Sequence, residues 1–116
     1  MPQFLYRVRP ARPGFFNGPT ADEEAAVGEH FTYLEDLTRR RVVLLAGRTL
    51  NEDSSTFGIV IFEVPSDTAA RDLMACDPAV RAGVFLAELF PYRIALASPR
   101  VLDLTPPQGT QSQGQI

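Results

Sequence analysis

Two side chains in this sequence are suited to moving a proton near neutral pH: the single histidine, His30, and the aspartate that stands before a proline in ACDPAVRAGVF, Asp77. An unperturbed imidazole titrates at about 6.5, which suits it to general-base work. A carboxylate bonded to one ring nitrogen would fix the tautomer and raise the basicity of the other, as base and orienter do in hydrolytic triads. Each residue also has a plain structural reading. His30 could be a core histidine whose nitrogens are satisfied by backbone groups, and Asp77 could cap the segment from Ala79 to Gly83 with Pro78 at its first position.

The element that positions His30 runs from Thr20 to Arg41. Thr20 followed by Glu23 is a capping-box pattern, so a helix starts there. At about 100° per residue, Ala26, Val27, His30, Leu34 and Leu37 fall on one stripe, and Asp22, Glu29, Glu35, Asp36 and Arg39 lie mostly away from it. His30 therefore points inward. Arg39, Arg40 and Arg41 end the helix, where cations complement its dipole.

The other elements follow from alternation and breakers. Gln3 to Val8 alternates as a strand with Phe4, Tyr6 and Val8 on one face. Pro10, Pro13, Gly14, Gly18 and Pro19 then form a long connection, a candidate pocket wall into which Phe15 and Phe16 fold. Val42 to Ala46 is an apolar strand and Thr56 to Val64 another, joined by polar turn residues Asn51 to Ser55 into an antiparallel hairpin with two largely apolar faces. Ser66 caps a short helix from Asp67 to Cys76, covered on one side by Ala69, Ala70, Leu73 and Met74. Val84 to Ala97 reads as a long strand kinked at Pro91. From Ser98 onward, proline, glutamine, glycine, serine and threonine predominate, so residues 98–116 are expected to be a flexible tail after a domain of residues 1–97.

The order strand, helix, strand, strand, helix, strand predicts an α+β fold: a ferredoxin-like βαββαβ unit, with a four-stranded antiparallel sheet and two helices on one face. Both faces of the hairpin are apolar and the helices cover only one. A second copy of the chain packed sheet to sheet is the expected partner, giving a homodimer.

Composition narrows the function. At 116 residues and a net charge of -3, from eleven basic and fourteen acidic side chains, this is one domain without the positive surface that nucleic-acid backbones require. The start, MPQFLYRVRP, lacks a signal-peptide core and no apolar run is long enough for a membrane span, so a soluble cytoplasmic protein is expected. One cysteine, Cys76, forms no internal disulfide and reads as a small buried hydrophobe. No cofactor is expected, because no glycine loop suits a nucleotide and one histidine with scattered carboxylates is a poor metal site. Ser54 and Ser55 belong to a turn, not a nucleophile elbow. Tyr33, Tyr92, Glu88 and Arg93 could line either a cavity or the dimer contact.

The pieces EHFTYLEDL, VLLAGRTLN, GIVIFEV, the Ala69-Ala70-Arg71 stretch, DPAVRAGVF and AELFPYRIAL, in that order, resemble the YciI-like family, also called YCII-related or DGPF-domain proteins. The likeness spans Phe4 to about Ala97. It implies a dimeric α/β barrel, a relative of the ferredoxin-like fold, and a His-Asp active-site pair, which by motif is His30 and Asp77. Many members carry an arginine three residues before the histidine. Val27 stands there in this chain, and Arg48 in AGRTLN is the candidate replacement.

What the resemblance implies by analogy is a small cofactor-independent enzyme of the isomerase or lyase kind, dehydrochlorinase-like. His30, paired with Asp77, would be general base toward a small cyclic or aromatic-derived substrate, with Arg48, Tyr6 and Phe16 as binding residues. The alternative is a non-catalytic module that binds a small molecule in the same cavity and serves a regulatory role.

Overall fold

The computed structural model describes residues 1–104. In chain order the elements are β1 (Gln3–Pro10), a 3-10 turn (Pro13–Asn17), α1 (Ala21–Arg39), β2 (Val43–Arg48), β3 (Gly58–Glu63), α2 (Asp67–Ala75), α3 (Pro78–Arg81), β4 (Phe85–Tyr92) and a second 3-10 turn (Pro99–Asp103). The strands form one antiparallel sheet in the order β2-β3-β1-β4, the α+β ferredoxin-like arrangement expected from the sequence. In the central strand, Phe4, Tyr6 and Val8 lie opposite Phe62, Val60 and Gly58 of β3. These residues, with Ala26, Leu34 and Leu37 of α1, Ala70 of α2 and Ala79 of α3, are the buried layer between sheet and helices.

α1 begins as its sequence dictates. The Thr20 hydroxyl accepts from the Glu23 amide at 3.1 Å, and the Glu23 carboxylate accepts from the Thr20 amide at 2.8 Å. The same carboxylate takes two bonds of 2.8 Å from the Arg12 guanidinium, which pins the connection after β1 to the start of the helix. The Arg12 bonds first, and then the Thr20 amide, hold the Glu23 carboxyl down at about 2, below its ordinary 4.5. A carboxyl depressed by folding contributes stability that is complete above about pH 4.5 and is lost as the pH falls through about 2. Glu23→Gln is therefore expected to unfold at lower denaturant than the wild type at pH 7. Midpoints measured at successively lower pH should converge across that acid window.

Two boundaries differ from the sequence reading. The last strand stops at Tyr92, well short of Ala97, and its pairing passes Pro91 without a register shift. β4 is an edge strand, where a proline without an N–H loses no ladder bond on its open side. The stretch after Ser98 is not wholly irregular: the Ser98 hydroxyl accepts from the Arg100 amide at 3.2 Å and starts the turn over Pro99–Asp103. Most of the expected tail, residues 105–116, lies outside the described residues.

The sheet face away from the helices is open. Register places Leu5, Ile61, Leu45, Leu86, Phe90 and Tyr92 on it together. Leu86, Phe90 and Tyr92 are exposed, and Glu88 and Arg7 form an ion pair across it. No helix among the described residues is long and apolar enough to cross a membrane.

Candidate active site

Three elements bring the two candidate residues together. His30 lies on the inner stripe of α1, one turn after Ala26 and one before Leu34, all three buried. Asp77 caps α3: one of its oxygens, Oδ1, accepts from the Ala79 amide at 3.0 Å, and Pro78 occupies the first helical position. α3 packs beside α1, so the other oxygen of Asp77 meets the ring, with His30 Nδ1 2.6 Å from Asp77 Oδ2. A third residue joins them from the central strand. The Tyr6 hydroxyl donates to the same Oδ2 at 2.7 Å.

His30, Asp77 and Tyr6 are all 0% exposed. An ionised carboxylate only accepts, so a neutral imidazole bonded to it carries its proton on Nδ1 and its lone pair on Nε2. Among the described residues Nε2 has no hydrogen-bond partner. An unmatched buried acceptor costs about 1–3 kcal/mol. The Tyr6 phenol, raised far above its ordinary value by burial and then by the Asp77 charge, stays protonated and can only donate to Asp77 in this network.

Beside this cluster is a cleft of about 330 Å³ whose wall includes Phe15, Phe16, Val27, Arg48, Phe57 and Phe85. Phe85 belongs to both. Its ring meets His30 edge to face with centroids 5.1 Å apart, and Phe15 packs against it at 6.4 Å. Gly83, at φ 75°, makes the left-handed turn that ends α3 and sends the chain into β4 at Phe85. Gly58 also lines the cleft, and a Cβ there would stand 3.3 Å from both Val8 Cγ2 and the Gly47 carbonyl, so the close strand approach at this point favours glycine.

Two of the expected binding residues, Arg48 and Phe16, line the cleft, and so does Val27. Tyr6 does not. It lies within the buried layer between sheet and helices and spends its hydroxyl on Asp77, the partner a buried phenol needs. Cys76 is exposed, contrary to its reading as a buried hydrophobe. It follows the last residue of α2 and falls roughly 200° around the helix from Met74, away from the apolar stripe. Tyr33 is half-buried and donates to the Leu73 carbonyl at 2.6 Å, while Glu88 and Tyr92 lie on the open sheet face. Arg93 lines a separate shallow hollow with Met1 and Asp67, so none of these four faces the cleft. Ser55 is held within its turn by Asp53 and Asn51. Among the described residues no group of three His, Cys, Asp or Glu side chains is placed to hold a metal ion.

Sequence reasoning missed Phe85, Phe57, Arg9, Glu52 and Thr56 in the cleft wall. Phe85 carried a signal: it stands two residues after the glycine that follows the Asp77 segment, so the chain must deliver it close to whatever Asp77 touches.

The YCII-related domain family matches residues 6–91, from the strand that carries Tyr6 to the end of the last strand. The chain belongs to this family. Among solved structures it is similar to 5-chloro-2-hydroxyhydroquinone dehydrochlorinase (TftG) from Burkholderia phenoliruptrix AC1100, in complex with 2,5-dihydroxybenzoquinone. The two are 25% identical, with a TM-score of 0.55 over 78% of this chain and 93% of that one. A variant of SnoaB, a cofactor-independent oxygenase from Streptomyces nogalater, is more distant, at 17% identity and a TM-score of 0.41 over 84% of this chain and 95% of that one. No curated protein matches the chain.

Proposed function

We propose that this YCII-related protein uses His30 as a general base, oriented by Asp77, on a small cyclic or aromatic-derived substrate bound in the cleft by Arg48 and Phe16. Nε2 would take a proton from a carbon or hydroxyl next to a carbonyl or phenol. The electron pair left behind shifts into the ring system, and either a double bond moves or water or chloride departs. The observation that carries this reading is a ring with one nitrogen bonded to a carboxylate and the other, Nε2, unpartnered among the described residues, packed against Phe85 of the cleft wall. Similarity to a dehydrochlorinase supports the reaction class. We further propose that two copies pack through their open sheet faces, an assembly that sedimentation would register at twice the monomer mass of 12.8 kDa.

The ring is fully buried, so the base reading requires the side chains packed over it to move, and on the cleft side these are Phe85, which meets the ring, and Phe15, which packs against Phe85. That complete burial favours a second reading, a module that binds a small molecule in the cleft without turning it over. Diethyl pyrocarbonate separates the two, because it acylates accessible neutral imidazole and this chain has a single histidine. The folded protein is expected to be modified slowly, faster in Phe15→Ala, and to be protected by those cyclic acids, lactones or phenols that raise its melting temperature. A ring that reacts only after the protein unfolds, in wild type and Phe15→Ala alike, leaves the base reading without a base and the binding module in its place.

A further inference from the structure

We propose that Tyr6 is a positioning residue: by donating to Asp77 Oδ2 it holds that carboxylate as the acceptor for His30 and so keeps the proton on Nδ1 and the lone pair on Nε2. Three donors reach the buried carboxylate, the Ala79 amide on Oδ1 at 3.0 Å, and on Oδ2 the ring nitrogen at 2.6 Å and the phenol at 2.7 Å. With Asp77 fully buried, no solvent can replace a donor that is lost. Without the phenol, Oδ2 keeps one donor, and the bare charge is relieved by taking up a proton or by drawing a second proton onto the ring. Either change removes the single state in which Nδ1 is protonated and Nε2 free.

The placement of Tyr6 is fixed independently of Asp77. It occupies the middle of the central strand, between Val60 and Leu89 on the neighbouring strands, and its ring meets Phe62 edge to face at 5.8 Å. The phenol therefore arrives at Oδ2 from the sheet side while the imidazole arrives from α1. The carboxylate is held between two rigid elements, as a preorganised base requires. That this serves turnover rests on the reading of His30 as a base; that it sets the state of the ring does not.

The test is nitrogen NMR of the labelled protein, where a single histidine gives one unambiguous pair of ring signals. The wild type at pH 7 is expected to show Nδ1 protonated and Nε2 bare. Tyr6→Phe keeps the ring and its packing, and is expected to convert that single species into a mixture of tautomers or protonation states, as Asp77→Asn does. A Tyr6→Phe protein that unfolds cooperatively yet keeps the wild-type ring spectrum overturns the proposal. If Tyr6→Phe does not fold, site-specific fluorotyrosine at position 6 supplies a stronger donor of nearly the same size. It should shift the Nδ1 proton resonance, and an unmoved resonance has the same overturning force. A changed spectrum in a protein that turns over nothing would leave this assignment standing and remove the enzymatic one. Loss of turnover in His30→Gln beside an unchanged Tyr6→Phe spectrum would do the reverse.

Discussion

His30→Gln is expected to lower kcat by about 100- to 10,000-fold on a substrate of the wild type, the range that one general base contributes, while leaving KM close to its original value. Glutamine is the informative replacement. Its amide can still donate to Asp77, so the interior keeps a polar partner where alanine would leave a hole and an unmatched carboxylate. What it lacks is a basic lone pair at the position of Nε2. The residues that line the cleft, Arg48 and Phe16 among them, are untouched, and the imidazole itself is fully buried and not part of that lining. A variant that loses kcat alone has lost an interaction made in the transition state. One that raises KM with kcat unchanged has lost a binding contact, and that pattern would make His30 part of a ligand pocket without turnover.

The features of this site that could be read in the sequence are those set by local periodicity. The capping box at Thr20 and Glu23 fixed where α1 begins, and the helical repeat then placed His30 on the inner stripe with Ala26, Leu34 and Leu37. Alternation along Gln3 to Val8 put Phe4, Tyr6 and Val8 on the buried face. The aspartate before Pro78 marked the start of a short helix. Each of these depends on residues within one or two turns of one another, so the chain states them directly.

What the sequence did not show depends on long-range approach. Nothing local to Tyr6 says that its hydroxyl ends at a residue 71 positions away, although a phenol on a buried strand face must find some acceptor. The cleft wall is assembled from the end of β1, the 3-10 turn, α1, β2, the loop before β3, the first residue of β3, and β4, segments that share no spacing. The long strand expected through Ala97 failed for a different reason. Apolar content continues past Pro91, but β4 pairs only with β1, and that pairing ends where Gln3, the first residue of β1, lies opposite Tyr92. The open face of the sheet was legible as an excess of apolar alternation on both sides of the hairpin.

Asp77→Ala is expected to destabilise the protein by about 3–5 kcal/mol, the scale of a lost helix cap together with two buried donors left without an acceptor. The two readings that the sequence left open, helix cap and orienter of a base, are both met by one carboxylate because its oxygens face different ways. Oδ1 accepts from the Ala79 amide, and removing a cap of that kind costs about 0.5–2 kcal/mol. Oδ2 receives the Tyr6 hydroxyl and His30 Nδ1, and each donor left unsatisfied in the interior costs about 1–3 kcal/mol. Asp77→Asn separates the two roles. An asparagine caps nearly as well, so most of the stability should survive, with the denaturant midpoint falling far less than for alanine. The amide presents one oxygen in place of two, so Tyr6 and the ring no longer share a full acceptor, and the tautomer that leaves Nε2 free loses its advantage. Loss of turnover approaching that of His30→Gln, at a stability close to wild type, is the result expected of an orienting carboxylate. Activity that tracks stability across both variants would reduce Asp77 to its cap.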